Sequence, residues 1–387
     1  METITIVGAG VAGLTAAITC AEAGAPVVLY DAHGEPGGRA RSLDAPYKAN
    51  LGPHVLYSDG ALWGWLKERD LLPPSTGIPY TGLRLRWDGA IHRTPPLALI
   101  PSMLKLRGRR APSDESFRAW ASSHAGERTA EWLSALAGVY TYHHDPGELS
   151  AAFVWERTSR LASPPPSVRF LIGGWSALVE SLVGRARQLG VEFRLGERVS
   201  ELPGAPTIVA VEQSDARALL DDPSLHWTSG HTVCIDLALE SRRGDPFVVS
   251  DLDECGWVER YTAADRTLAP AGQELVQAQM PVRPGESHDG TTRRLETLLD
   301  LAFPDRATRT VWHRRMVMHG RTGALDLPGT TWRDRPALDR GDGVFLAGDW
   351  VAAPGLLAEV AWKSAVDAGA LAVRAATAVP TPLRRVA

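Results

Sequence analysis

The sequence has 387 residues, of which 44% are hydrophobic and 22% charged, a balance typical of globular proteins with about two domains. Its 41 basic and 45 acidic residues give a formal net charge of −4, which argues against a general nucleic-acid binder. The three cysteines, Cys20, Cys234 and Cys255, are widely separated, so the sequence predicts neither a disulfide framework nor a zinc site.

The start of the sequence and the length of its apolar runs indicate where in the cell the protein is expected. An apolar strand begins almost at Met1, which leaves no room for a signal peptide. No apolar run approaches the roughly 20 residues of a membrane-spanning helix. Together with the unpaired cysteines, these features predict a cytoplasmic protein.

The N-terminal region has the pattern of a dinucleotide-binding βαβ unit. An apolar strand, Ile4–Val7, leads into a glycine-rich loop, an Ala-rich helix follows, and a second strand, Val27–Tyr30, ends at Asp31. The loop residues are Gly8, Ala9, Gly10, Val11, Ala12 and Gly13. Strand, glycines, helix, strand and acid follow in the order and spacing of the dinucleotide fingerprint, which makes the match specific.

The glycines and the acid of this unit have separate roles. Gly8 allows a sharp turn, Gly10 allows backbone N–H groups to approach a pyrophosphate, and Gly13 allows the helix to pack closely on the strand. The phosphates then lie at a helix N-terminus. Asp31 is placed to accept hydrogen bonds from the ribose hydroxyls of the adenosine.

The residues after Asp31 indicate which dinucleotide binds. Gly37 and Gly38 permit close approach of the backbone, and Arg39 supplies a forked donor for phosphate oxygens. A nicotinamide-binding domain does not need this segment, whereas FAD has a long pyrophosphate and ribityl chain to cover. From Gly8 to Ser42 the chain resembles the FAD-dependent superfamily that contains amine oxidases, protoporphyrinogen oxidases and phytoene-type desaturases.

The next part of the chain contains several predicted elements. Lys48–Tyr57 is interpreted as a strand with a Gly-Pro kink, and a helix begins at Ala61. Leu83–Trp87, the turn Asp88-Gly89 and Ala90–Arg93 predict a hairpin. Ser113–Val139 is helical in pattern. The resemblance implies that Gly52, Pro53 and His54 lie beside the flavin ring.

Residues 95–110 join an apolar stretch to a basic cluster. One interpretation is an interfacial anchor, which contacts a membrane surface weakly and admits a lipid-like substrate. The other is a solvated lid, because Pro101 and Gly108 are predicted to interrupt a helix.

The chain then returns to the cofactor. Gly173 and Gly174 open a predicted helix, and the strands Val191–Arg194 and Thr207–Val211 follow. In the resembled superfamily such a segment belongs to the FAD domain, and the residue that matches Val199 meets the adenine through its backbone. Alternating segments between Ala216 and Leu325 predict a largely antiparallel sheet.

The C-terminal block Gly343–Trp350 predicts a buried strand ending at Gly348 and Asp349, followed by a helix through about Val373. The resemblance implies that Asp349 accepts a hydrogen bond from the ribityl chain or lies near the pyrophosphate. It also implies that the helix N-terminus faces the N1 and C2 carbonyl edge of the ring, where it would stabilise the negative charge of reduced flavin. The residues at that N-terminus are Gly355, Leu356 and Leu357.

Catalytic residues are harder to predict, because flavin performs the electron transfer itself. His54 is the ring-side candidate, which would orient substrate or exchange a proton near neutral pH; a packed structural histidine is the alternative. Tyr140–Asp145 is interpreted as a surface or pocket-lining loop, and no metal site is predicted. Lys363 is predicted to pair with Glu359 one helical turn earlier.

The sequence contains 13 tryptophans, an unusually large share of its aromatic residues. Several fall in or near the expected substrate region, where they would form flat apolar walls or belong to the ordinary core. These are Trp63, Trp65, Trp87, Trp155 and Trp175.

The predicted fold class is α/β, with a Rossmann-like FAD-binding domain built from discontinuous segments and a second, α+β substrate domain with a largely antiparallel sheet. The FAD-binding domain is assigned to residues 1–60, 166–215 and 336–380. The substrate-binding domain is assigned to residues 61–165 and 216–335.

The predicted function is an FAD-dependent oxidoreductase that removes two electrons from a small or medium apolar organic molecule, by C–C desaturation or C–N oxidation. Desaturation is slightly preferred, because no lysine is convincingly placed at the ring. Two alternatives remain: a non-redox flavoenzyme such as an isomerase, and a flavin-free escort protein for prenyl groups or lipids. The intact Gly37, Gly38, Arg39 and Asp349 argue against the escort.

Overall fold

The computed structural model describes residues 1–52 and 54–377; Pro53 and residues 378–387 lie outside it. The strands are β1 (Ile4–Val7), β2 (Val27–Asp31), β3 (Leu56–Tyr57), β4 (Ser75–Thr76), β5 (Leu83–Trp87), β6 (Ala90–His92), β7 (Val168–Leu171), β8 (Glu192–Leu195), β9 (Thr207–Val209), β10 (Ser229–Glu240), β11 (Val248–Asp251), β12 (Trp257–Arg260), β13 (Gln273–Pro281), β14 (Thr310–Ala324) and β15 (Val344–Leu346). The helices are α1 (Val11–Glu22), α2 (Ala61–Glu68), α3 (Leu99–Leu106), α4 (Phe117–Ala125), α5 (Glu127–Leu136), α6 (Gly138–Thr141), α7 (Ala151–Leu161), α8 (Trp175–Gln188), α9 (Gln213–Leu219), α10 (His288–Ala302), α11 (Arg306–Arg309) and α12 (Ala358–Thr377).

A parallel sheet of five strands has the order β15-β9-β1-β2-β8. Its strands are short and apolar, as expected where helices cover a parallel sheet. Ile6 of β1, Leu14 of α1, Leu178 of α8 and Ala368 of α12 belong to one buried core. All five strands come from the three segments assigned to the FAD-binding domain, which confirms the Rossmann-like prediction. The domain boundaries stay a prediction, and residues 378–380 lie outside the described chain.

A second sheet has the order β14-β10-β13-β12-β11-β5-β6 and is antiparallel except where β5 pairs with β11. Side chains alternate along these strands, so each strand presents two faces. Val233 of β10, Val258 of β12 and Val276 of β13 pack in one cluster with Leu295 of α10. The opposite face of the same strands carries polar and aromatic residues, and it is this face that contributes to the site described below.

Smaller units connect the two sheets. Strands β3 and β4 pair with opposite edges of β7. Helices α3 to α7 enclose their own core, which includes Leu99, Phe117, Leu133 and Val154. Leu85 and Trp87 of β5 pack against this cluster, so the helical unit is attached to the edge of the second sheet.

The structure corrects the predicted strand Lys48–Tyr57. Only Leu56 and Tyr57 form a strand there, and Asn50 makes a single bridge with Ser42. Gly52 has a φ of +108°, which extended strands do not adopt. The carbonyl oxygen of Asn50 accepts hydrogen bonds from the Gln277 and Arg314 side chains, so it is not available to a ladder.

Two further local predictions were wrong. Pro101 does not interrupt a helix but lies in the first turn of α3, where backbone N–H groups have no partner within the helix. Lys363 pairs with Asp367, at 2.6 Å, rather than with Glu359. Glu359 is instead held by Arg160.

Candidate functional site

A cavity of about 720 Å³ lies between the two sheets and is lined by residues from both. One part follows the carboxyl ends of β1 and β2, the position at which doubly wound sheets bind ligands. The other part is bounded by β11, β12 and α6, and its walls are largely apolar and aromatic. The cavity therefore joins a site at the usual ligand-binding edge of the parallel sheet to an apolar chamber.

In the first glycine loop, one glycine has free space where a side chain would lie, and at two others neighbouring atoms occupy that space. A Cβ at Gly8 would lie 2.5 Å from the Ala210 carbonyl oxygen, and one at Gly13 would lie 1.7 Å from the Gly8 carbonyl oxygen. A Cβ at Gly10 would meet nothing within 4 Å. Gly8 and Gly13 are thus required by packing, whereas Gly10 leaves open space at the N-terminus of α1.

The second glycine segment lies directly against the first. The Gly37 N–H donates to the Ala9 carbonyl at 2.7 Å, and Gly37 forms a bridge with Gly10. Gly38 has a φ of +53°, and a Cβ there would lie 3.4 Å from the Gly10 Cα. Two backbone segments that are 30 residues apart in the sequence therefore form one continuous wall of the cavity.

Asp31 ends β2 beside this wall. Its carboxylate accepts hydrogen bonds from the backbone N–H groups of Ala9, at 2.7 Å, and His33, at 2.8 Å. Each carboxylate oxygen has more than one lone pair, so these contacts fix its orientation and leave capacity for ribose hydroxyls.

Arg39 and Asp349 bring the N-terminal and C-terminal blocks together. The guanidinium donates to both carboxylate oxygens, at 2.8 and 2.9 Å. Burial raises the pKa of the Asp349 carboxyl, but the charge and the hydrogen bonds of Arg39, together with smaller backbone and charge effects, outweigh burial and hold that pKa below its ordinary value. A paired guanidinium and carboxylate at the cavity wall can bind phosphate oxygens and sugar hydroxyls.

The C-terminal block is anchored by two side chains of α12. The Gly348 N–H donates to the Ser364 hydroxyl at 2.9 Å. The Leu356 N–H donates to the Glu359 carboxylate at 3.1 Å, and Arg160 binds the same carboxylate at 2.7 Å. Leu357 lines the cavity, whereas Gly355 and Leu356 do not. The start of α12 therefore reaches the cavity through Leu357, followed by Ala358 and Ala361, which the sequence analysis did not identify.

His54 lies at the junction of the two parts of the cavity. Its Nδ1 is 2.6 Å from the Gly52 carbonyl oxygen, which can only accept, so Nδ1 carries a proton. Its backbone N–H donates to the Tyr261 hydroxyl at 2.8 Å, and its ring meets Trp175 edge-on. Burial lowers the pKa of His54 to about 4, and the charge of Arg39 adds to this. The ring is therefore neutral near pH 7, which disfavours the predicted proton exchange in that range.

The apolar chamber contains a residue that the sequence analysis missed. Glu259, on β12, is 5% exposed and lines the cavity between Trp257 and Tyr261. Burial raises its pKa to about 7, although hydrogen bonds from Trp257 and Tyr261 act in the opposite direction. The available signal was the spacing of Trp257 and Glu259, two positions apart on β12, with Tyr261 directly after the strand.

Tyr142, within the predicted loop Tyr140–Asp145, also lines the chamber, as does Tyr140. This confirms the pocket-lining interpretation for the two tyrosines. His143 and His144 are only partly buried, and their ring centroids lie 4.5 Å apart with the planes tilted by 38°. Among the described residues there is no cluster of three or more side chains able to hold a metal ion.

Most of the predicted tryptophans are structural. Of the five named in the sequence analysis, Trp175 lines the cavity. Trp65 belongs to the core of the parallel sheet and Trp155 to the helical cluster, while Trp63 and Trp87 pack against those cores. Trp257 and Trp350, which the sequence analysis did not single out, line the cavity as well.

The remaining predicted cofactor residues are distributed as follows. Gly13 does not line the cavity, and Pro53 lies outside the described residues. The predicted residues that do line it are Gly8, Gly10, Val11, Ala12, Asp31, Gly37, Gly38, Arg39, Gly52, His54, Val199, Gly348, Asp349 and Leu357. Their binding roles stay predictions.

Comparison with known proteins agrees with this arrangement. A family model described as an NAD(P)-binding Rossmann-like domain matches residues 6–69. No curated protein sequence matches the chain significantly. Similarity is therefore clearest at the level of three-dimensional structure.

Solved structures match the chain over nearly its whole length. An oxidoreductase from Methanosarcina mazei has a TM-score of 0.76 and 17% identity, and the match covers 95% of this chain and 99% of that one. A putrescine oxidase bound to putrescine gives 0.73 and 16%, covering 97% and 99%. Cyclohexylamine oxidase from Brevibacterium oxydans gives 0.69 and 14%, covering 96% and 99%.

The chain has the fold of these solved oxidoreductases, among them putrescine oxidase and cyclohexylamine oxidase. This confirms the resemblance inferred from residues Gly8 to Ser42, and the likeness extends to the second sheet, about which the motifs said little. At such low identity the likeness concerns the fold, and the chemistry must be argued from the site itself. No helix among the described residues is long and apolar enough to cross a bilayer.

Proposed function

We propose that the protein is an FAD-dependent oxidoreductase that removes two electrons from a small or medium organic substrate with an apolar body. The observation that carries this proposal is one continuous cavity, which joins two adjacent glycine segments and the Arg39–Asp349 pair to an apolar chamber. C–N oxidation and C–C desaturation are both compatible with such a chamber.

The residues present fit FAD. The open space at Gly10, at the N-terminus of α1, suits a pyrophosphate, since backbone N–H groups point there. Asp31 is oriented for ribose hydroxyls, and Arg39 and Asp349 offer a donor and an acceptor for the phosphate and ribityl groups. Val199 also lines the cavity and would meet the adenine.

Bound flavin would supply the two-electron redox chemistry. The protein's own residues would position the substrate and exclude water. Phe170, Phe247 and Tyr261 give the chamber apolar walls, which desolvate the substrate. Neutral His54, whose Nδ1 proton is held by Gly52, would orient the substrate through its remaining ring nitrogen rather than exchange a proton.

The Arg160–Glu359 pair fixes the position of the start of α12, next to the cavity. Arg160 also binds Asp59, so one guanidinium ties the start of α2 to the start of α12. Arg157 donates to the Gly355 carbonyl at 3.1 Å. These contacts hold the segment that leads to Leu357 in one position, as a preorganised binding site requires.

A matched pair of variants tests the placement of the cofactor. Gly10→Ala adds a Cβ where nothing lies within 4 Å, so the fold should tolerate it. Gly10→Asp adds a negative charge at the same point and should abolish FAD retention, measured by visible absorption of the purified protein. Equal FAD content in Gly10→Asp and wild type would refute the placement.

Reduction of the bound flavin tests the reaction class. Anaerobic addition of substrate should bleach the flavin absorption stoichiometrically, without an added electron acceptor. Turnover of a substrate with no net flavin reduction would instead indicate the isomerase alternative. A protein that remains colourless after incubation with FAD would indicate the flavin-free escort.

The cytoplasmic location also remains a proposal. It is supported by the three cysteines, which are buried and unpaired in the structure. Periplasmic or secreted protein recovered from fractionated cells would contradict it.

A further inference from the structure

Glu259 occupies an unusual position on the second sheet. Strand β12 sends Val258 into the core that packs on α10, and it sends Trp257 and Glu259 to the opposite face. The Trp257 indole N–H donates to the Glu259 carboxyl at 3.1 Å. The carboxyl is therefore fixed in orientation, 5% exposed, and directed to the wall of the cavity.

The other buried carboxylates of the described chain are compensated. Each of five forms an ion pair with at least one arginine, and Asp265 accepts hydrogen bonds from the Gly173 and Thr267 N–H groups. Those five are Asp236, Asp251, Glu274, Asp326 and Glu359. Glu259 forms no ion pair within residues 1–52 and 54–377.

This difference has a chemical consequence. A buried carboxylate without a counter-ion is costly, and a ligand that brings a positive charge removes that cost. Around Glu259 the chamber presents aromatic and aliphatic groups such as Tyr142, Phe247 and Val248, which suit an apolar body and also the face of a cation.

We propose that Glu259 binds the positively charged group of the substrate, and that the substrate is therefore an organic cation with an apolar body. The substrate class rests on the oxidoreductase function proposed above, whereas the binding subsite itself can be tested without turnover. Tyr261 contacts the backbone of His54, so the cation would be bound one side chain away from the predicted ring-side residue. This placement favours C–N oxidation over desaturation of a neutral polyene.

The protonation state of Glu259 supplies a specific signature. Its pKa of about 7 means that the carboxyl is half ionised near neutral pH. The titratable groups around it are Tyr142, Tyr261 and His54; burial raises the pKa of both tyrosines and lowers that of the histidine to about 4. The next ionic group on this face, Asp236, is paired with Arg314. Burial raises the pKa of the Asp236 carboxyl, while the charge of Arg314 lowers it. Neither the two tyrosines nor His54 is expected to titrate between about pH 6 and 8.

The test uses the FAD-loaded protein with benzylammonium as the probe and benzyl alcohol as its neutral counterpart. Calorimetric titration is expected to show that the cation binds at least about 10-fold more tightly than the alcohol. Its affinity should fall by about 10-fold as the pH is lowered from 8 to 6. At pH 7, binding should release about half a proton, seen as a dependence of the heat on the buffer.

Variants separate this subsite from general effects. Glu259→Gln keeps the shape of the side chain and should lower benzylammonium affinity about 10- to 100-fold, remove the pH dependence and leave benzyl alcohol binding unchanged. Glu180→Gln, which changes an exposed residue of α8, is the matched control and should behave as wild type.

Two results would overturn the proposal: equal affinity for the cation and the alcohol in wild type, or unchanged pH dependence in Glu259→Gln. Because FAD content is measured beforehand, failure of the cofactor proposal is recognised separately from failure of the subsite. If Glu259→Gln does not fold, the wild-type pH dependence and proton release still decide the question.

A different observation carries a second inference. Helix α3 buries Leu99 and Leu106 against the helical cluster, but its outer face is apolar as well. Leu97, just before the helix, is 97% exposed, and Ile100 and Leu104 are 53% and 61% exposed. Three large exposed apolar side chains within eight residues exceed what an ordinary solvated helix presents.

The same surface is strongly basic. From Gly89 to Ser113 the sequence contains five basic residues and no acidic ones. The basic residues are Arg93, Lys105, Arg107, Arg109 and Arg110; all five are exposed, and none forms an ion pair with a described residue. The chain as a whole has a net charge of −4, so this cluster is a local feature.

We propose that this face, the apolar side of α3 with its flanking cations, docks on a bilayer surface that contains anionic lipids. Apolar side chains would enter the interface while the cations contact lipid headgroups, as in other amphipathic interfacial helices. A protein partner would have to present the same combination of apolar and anionic groups, and nothing in the structure specifies one. This gives structural support to the anchor interpretation of residues 95–110 rather than to the solvated lid.

Sedimentation with vesicles tests this proposal. The full-length protein should bind vesicles that contain phosphatidylglycerol. It should bind much more weakly to vesicles of phosphatidylcholine alone, and to either kind of vesicle at high salt. A triple variant, Leu97→Ser, Ile100→Ser and Leu104→Ser, should lose most binding, and replacing the arginines 107, 109 and 110 by Ser should weaken it about fivefold each.

The control replaces two exposed apolar residues elsewhere, Val311→Ser and Leu327→Ser, and should leave vesicle binding unchanged. Melting temperatures close to wild type would show that each variant is folded. The proposal would be overturned if the wild-type protein did not bind anionic vesicles. It would also be overturned if the triple apolar variant and the arginine variants bound them as wild type does.

Discussion

Replacing Glu259 by Gln should stabilise the ligand-free protein at neutral and alkaline pH. The folded state raises the pKa of this carboxyl from 4.5 to about 7 because burial disfavours its charged form. Its neutral form is therefore favoured in the fold, and the associated stability is lost as the pH rises from about 4.5 through 7. At 1.36 kcal/mol for each pKa unit, the loss at pH 8 is about 3 kcal/mol.

Gln is neutral at every pH and can still accept the Trp257 N–H, so it avoids this loss. For a chain of this length, about 3 kcal/mol corresponds to a rise in melting temperature of about 4 °C. Calorimetry of Glu259→Gln and wild type, at matched FAD content, should therefore show equal melting temperatures near pH 4.5 and a difference that grows up to pH 8. A variant that melts below wild type at pH 8, or a difference independent of pH, would refute the reasoning. Glu180→Gln should show no such trend.

Three further outcomes are expected. Gly13→Ala should destabilise the protein by about 3 kcal/mol in urea unfolding, because its Cβ would lie 1.7 Å from the Gly8 carbonyl oxygen. His54→Asn should keep the inflection near pH 7 in cation binding, because the His54 pKa of about 4 places its own titration well below that range. Arg335→Met should lower the free energy of unfolding by about 3–5 kcal/mol, because it leaves buried Asp326 without the guanidinium that binds both its oxygens. Adding Asp326→Leu should recover part of this loss in unfolding measurements.

The glycine-rich half of the site was largely predictable because its shape depends on backbone geometry. A turn that needs Gly8, a close contact that needs Gly13 and an open approach at Gly10 leave a fixed spacing in the sequence. The ion pair of Arg39 with Asp349 was not predictable from spacing, because 310 residues separate its partners.

The apolar chamber left a weaker signal in the sequence. Its walls come from single residues on many strands, and a carboxylate such as Glu259 differs from its ion-paired neighbours only by the absence of an arginine. That absence is a property of the folded arrangement. His54 illustrates the same limit, since the sequence placed it at the site but its neutral state follows from burial.

The sequence by itself determined the Rossmann-like unit and the antiparallel character of the second sheet, because both depend on local periodicity and on glycine positions. The tertiary structure decided which side chains share the cavity and which charges remain uncompensated there. Those properties depend on distances between residues far apart in the chain and on the exclusion of water, and both exist only once the two sheets have packed together.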